Sequence, residues 1–148
     1  DEAKQPMNLT FHILKKRYFP ELNEKVITRE RIIKVLSRIN IPVFDIPMRG
    51  RGAYVRDISD GAEFVFIKYN LQTLIRHETL AYEAVHACCH VKADFLQSKQ
   101  NLQSEVLSLI MMMPLADLPR LNKIKHQLDD ESFELLMRRN RAAEIWHL

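Results

Sequence analysis

The chemically densest stretch of the chain is TLAYEAVHACCH, Thr79 to His90. Its apolar spacing is that of a helix, on which residues four apart share one face at a separation of about 6 Å. Tyr82, His86 and His90 then form a single ridge with Glu83 beside it. In a helical H-E-x-x-H, two histidines grip one zinc ion and the intervening glutamate takes a proton from metal-bound water. Here a tyrosine stands in the first ligand position. Glu83 occupies the place of the general base and His86 that of the second ligand. Three readings stay open on residue types alone: a metallopeptidase, the shell of one, or a buried helix with ordinary histidines.

The chemistry bears on that choice. Zinc wants three firm protein ligands from His, Cys or carboxylate. A neutral tyrosine, with a pKa of about 10, is a poor donor until a metal removes its proton. His86 and His90 could instead form a displaced two-histidine site, but Glu83 would then precede both and lose its aim at a bound water. His77 is offset from Tyr82 by roughly 140° around the helix and is a doubtful replacement. Adjacent Cys88 and Cys89, the only cysteines, point in different directions and read as small buried hydrophobes. A chain without a disulfide framework is expected in a reducing, cytoplasmic setting.

Several elements must position these residues. The pattern predicts helices over Met7 to Tyr18, Thr28 to Ile39, Leu71 to Leu96, Leu102 to Met113 and Glu131 to Trp146. Thr28 and Asp129-Asp130 are placed to cap two of them. Pro42 to Met48, Ala53 to Ile58 and Glu63 to Tyr69 read as strands, punctuated by Gly50, Gly52 and Asp60-Gly61. Their order predicts a small antiparallel sheet of about three strands. QSKQN (Gln97 to Asn101) reads as a polar break. Helices, a short run of strands, then helices imply an α+β fold. Arg49, Arg51 and Arg56 cluster among the strands as a solvated face or a basic rim. Met111 to Met113 read as core filling.

The 148 residues, 47% hydrophobic and 28% charged, suit one soluble globular domain over 1–148. A net charge of +3 is too mild to imply nucleic-acid binding. No apolar run would cross a bilayer and no signal-peptide pattern appears. The chain opens on Asp1 without a methionine, which leaves room for an upstream piece.

The central block and its context resemble the ImmA/IrrE family of bacterial zinc metallopeptidases. That family shows a strand ending in Asn, an Arg-containing helix start, then F-T-L-A-H-E-L-G-H-x-x-x-H, and later a helix ending in L-M-P. The matching pieces are IKYN (Ile67 to Asn70), Arg76, ETLAYEAVHACCH (Glu78 to His90) and MMMP (Met111 to Pro114). The resemblance covers Thr28 to Pro114 and leaves 115–148 as a helical C-terminal extension. It implies a mostly helical, zincin-like domain with His86 as a zinc ligand, Glu83 as general base and Tyr82 in the first ligand's place. The family's third ligand is a glutamate; counted back from Pro114 without a gap, that position falls on Gln103. Glu105 serves only if the register shifts, and His90 is a further candidate ligand.

The implied partner is a separate protein, a transcriptional repressor in a stress or mobile-element response, with no direct nucleic-acid contact and no membrane. With the ligand set altered, the expectation is a retained fold with weakened or lost zinc catalysis, a pseudoenzyme. The alternatives are an active zinc endopeptidase using His86, Glu83 and Glu105, and a non-enzymatic helical interaction module.

Overall fold

The computed structural model describes residues 4–90 and 97–148. Helix α1 (Lys4–Arg17) ends ahead of Pro20. Helix α2 (Arg29–Arg38) starts where Thr28 caps it, its hydroxyl accepting the Arg31 N–H at 3.1 Å. Ile32, Val35 and Leu36 form its buried stripe. Asn40, with φ 62°, takes the left-handed conformation that asparagine tolerates and turns the chain toward the sheet.

Three strands follow: β1 (Val43–Ile46), β2 (Gly52–Arg56) and β3 (Glu63–Lys68). They confirm an α+β, mostly helical fold but correct the antiparallel expectation. The sheet is mixed, in the order β1-β3-β2. β2 folds back antiparallel on β3 through a loop in which Gly61 has φ 76°. β1 lies parallel to β3 on its other side, with Val43 opposite Val65 and Ile46 opposite Lys68. β2 is therefore an edge strand. Lys68 N donates to Arg51 O and Asp57 N donates to Ala62 O. By that alternation the backbone groups of Gly52, Tyr54 and Arg56 point away from β3, toward the helices.

Helix α3 (Thr73–Val85) runs under the sheet face carrying the buried Val65 and Ile67. It does not continue as one straight α-helix to Leu96. It widens into a π-helical turn over His86–His90, a geometry often found at functional sites. The rest of that expectation, 91–96, lies outside the described residues. Helix α4 (Gln97–Met112) is the main partner of α3. QSKQN is thus helical rather than a break, in keeping with the helix propensity of Gln and Lys. Two short 3-10 turns flank α5 (Leu118–Lys123), and α6 (Asp130–Trp146) begins where Asp129 accepts the Ser132 N–H at 2.8 Å. Among the described residues no helix is long and apolar enough to cross a membrane.

One buried cation ties the C-terminal half together. Arg139 is fully buried, and burial lowers its pKa to about 10. Its guanidinium donates to Met113 O at 2.6 Å, Leu148 O at 2.9 Å and Asn23 Oδ1 at 3.1 Å. Oxygen acceptors from three segments replace a carboxylate partner.

Candidate functional site

The approach of β2 to α3 sets the site. A methyl group at Gly52 would lie 2.6 Å from Thr79 Cγ2 and 3.3 Å from Glu83 Cγ, so only glycine lets strand and helix come this close. Glu83 is buried against the strand. Its carboxyl group accepts the Tyr54 backbone N–H. Burial raises its pKa to about 7, and the Tyr54 bond opposes that rise.

His86 and Glu83 face a common hollow of about 410 Å³. Its walls also include Tyr82, His90 and Tyr54, and Gln100 and Asn101 of α4 close it over. A second hollow of about 640 Å³ adjoins it, with Gly52, Thr79, Tyr82, Glu83 and Glu105 among its walls. Tyr82 and Glu83 belong to both hollows. Together these form one groove between the free edge of β2 and helices α3 and α4.

Within it, a chain of hydrogen bonds joins the candidate ligands. His86 Nδ1 lies 3.0 Å from His90 Nδ1, and His90 Nε2 lies 2.8 Å from Gln103 Oε1. Gln103 Oε1 also accepts the Thr10 hydroxyl at 3.1 Å. An amide oxygen only accepts, so His90 carries its proton on Nε2. Its Nδ1 then accepts the His86 Nδ1–H. The Asn101 side chain bonds His86 as well. Tyr82 stacks edge-on against His86, with ring centroids 5.1 Å apart. Burial lowers the pKa of His86 to about 4, helped by His90, and burial lowers that of His90 too. Both imidazoles are neutral at pH 7.

The structure thus brings together Tyr82, Glu83, His86, His90 and Gln103. Glu105 is exposed and lines the wider hollow, away from His86. His77 is elsewhere, its Nε2 bonded to Ile27 O at 2.7 Å. Thr10 and Asn101 join the site without any sequence signal of their own.

The zinc cage implied by the resemblance does not fit these residues. Of its three positions, Tyr82, His86 and Gln103, only His86 is a common zinc donor. Gln103 spends its amide oxygen on His90 and Thr10. Among the described residues no three His, Cys, Asp or Glu side chains gather into a metal-binding group. The chain matches no protein-family model, and no curated protein is significantly similar to it in sequence.

Proposed function

We propose that this is a peptidase-type domain, related in plan to the ImmA/IrrE metallopeptidases, that binds a protein partner and has lost zinc catalysis. Its ligand is an extended segment of that partner, with a transcriptional repressor as the implied class. The observation that carries the reading is the groove along β2. A strand edge offers outward backbone groups at Gly52, Tyr54 and Arg56, next to a helix that bears a peptidase-like Glu83 and His86. Extended peptides are recognised by adding to such edges, where main-chain bonds give affinity and flanking pockets read the side chains.

The bond from Tyr54 N–H to Glu83 shapes this mode. It satisfies one edge donor internally, so an incoming segment pairs with the outward groups on either side. The His86–His90–Gln103 chain stiffens the wall opposite β2 with neutral hydrogen bonds. Tyr82 puts an aromatic surface where the resemblance implies an imidazole ligand.

Amide hydrogen exchange of the full chain, with and without a candidate repressor and with chelator present throughout, tests this. Slower exchange at Gly52 and Arg56 on adding the partner is the expected result. Unchanged exchange across β2 despite binding, or cleavage of the partner that chelator abolishes, contradicts it.

A further inference from the structure

The opposite face of the sheet invites a different ligand, and the case for it stands apart from the peptidase reading. Side chains alternate across a strand, so Val65 and Ile67 turn inward to α3 while Phe64 and Phe66 turn outward. The register sets Phe44 beside Phe66, and Val55 beside Phe64, on that outer face. Phe64 and Phe66 are nearly parallel, at 11° with centroids 6.0 Å apart, and Phe44 lies 6.3 Å from each. Phe44 is 46% exposed and Val55 39%. Three rings thus form a continuous aromatic surface at the level of the strands.

Charge tells what suits that surface. One pair beyond Phe66 on the same face stand Lys68 and Arg51, joined through their backbones. Neither has a carboxylate within ion-pair distance among the described residues. The acids of the strands are on the other face by the same alternation: Asp45 pairs with Arg76, and Glu63 bonds the Tyr54 hydroxyl. An apolar aromatic floor bordered by unpaired cations and free of acids complements a ligand that alternates flat π-faces with negative charge.

We propose that this face binds single-stranded nucleic acid, with bases stacked on Phe44, Phe66 and Phe64 and phosphates held by Lys68 and Arg51. Stacking on aromatic side chains beside a cationic track is the general means of holding single strands without reading their sequence. An acidic peptide would satisfy the cations but offers few planar faces for the rings. The mild net charge of the chain gives no hint of such a site, because what matters is the sorting of charge between two faces of one sheet.

Fluorescence anisotropy with labelled oligothymidylate and oligouridylate, titrated with the full chain, tests the proposal. Binding is expected at low salt and should weaken steeply as salt rises. Phe44→Ala and Lys68→Glu should each weaken it about tenfold, with unchanged circular dichroism, while Arg120→Glu on α5 leaves it intact. Phe44→Ser provides a second test should either variant fold poorly. Absence of oligonucleotide binding at low salt overturns the proposal, as does binding indifferent to both substitutions. Preferential binding of polyglutamate assigns the face to an acidic peptide instead. Self-association that Phe44→Ala abolishes assigns it to a second copy of the chain, and either result is contrary to the proposal.

Discussion

The Glu83 carboxyl group accepts the backbone N–H of Tyr54, joining the motif-bearing helix to the edge strand of the sheet. The bond places the peptidase-like carboxyl group at the strand edge where a peptide would add. It also holds a titratable group in a dry contact, which yields a pH signature.

Glu83 has its folded pKa raised to about 7 from an ordinary 4.5. The folded state therefore favours the protonated carboxyl group. That stabilisation is fully present below about pH 4.5 and is lost as pH rises through about 7. Glu83→Gln removes the loss. The variant is expected to gain on the parent as pH rises to 8, by on the order of 3 kcal/mol, with a flat difference below pH 4.5. His86, lowered to about 4, works in the opposite sense, its contribution falling away as pH drops from 6.5 through 4. Denaturant midpoints at a series of pH values separate the two.

Gly52→Val is expected to force β2 away from α3, because the first added carbon already meets Thr79 Cγ2 at 2.6 Å. The cost should be about 1–3 kcal/mol or more, as for other overpacked contacts. Thermal melting reads the stability, and exchange at the Tyr54 amide reads whether its bond to Glu83 survives.

Arg139→Met should cost about 3 kcal/mol or more, since it strips three oxygen acceptors of a charged donor inside the fold. Arg139→Lys should recover only part of this, because an ammonium lacks the planar fork that reaches all three. Urea unfolding of both variants, compared at equal slope, is the check.

The local physics of the fold was legible in the sequence. Thr28 before an apolar stripe marks the start of α2, and Asp129 does the same for α6. The period of 3.6 residues brings Tyr82, His86 and His90 onto one ridge. What escaped was non-local. Adjacent strands suggest a meander, whereas β1 crosses to the far side of β3, and only tertiary packing decides that. QSKQN looks like a break because a polar run can be a loop or a solvated helical turn with one composition. Thr10 is separated from Gln103 by 93 residues, and no local pattern announces their bond.

Restoring the two substituted family positions should convert the site. Tyr82→His with Gln103→Glu puts two common zinc donors beside His86, giving the three that a catalytic zinc needs. The double variant is expected to bind zinc at one per chain, with a zinc-dependent rise in melting temperature. Each single variant should bind far more weakly. Absence of zinc binding in a folded double variant would separate this groove from the metallopeptidase plan.

The central claim is that hydrogen bonds among His86, His90 and Gln103 stand where a zinc cage would be. The most direct measurement is elemental analysis of the parent chain, produced with zinc supplied and purified without chelator, beside His86→Ala. Zinc well below one per chain in both is expected. One zinc per chain in the parent, lost in His86→Ala, would contradict the claim.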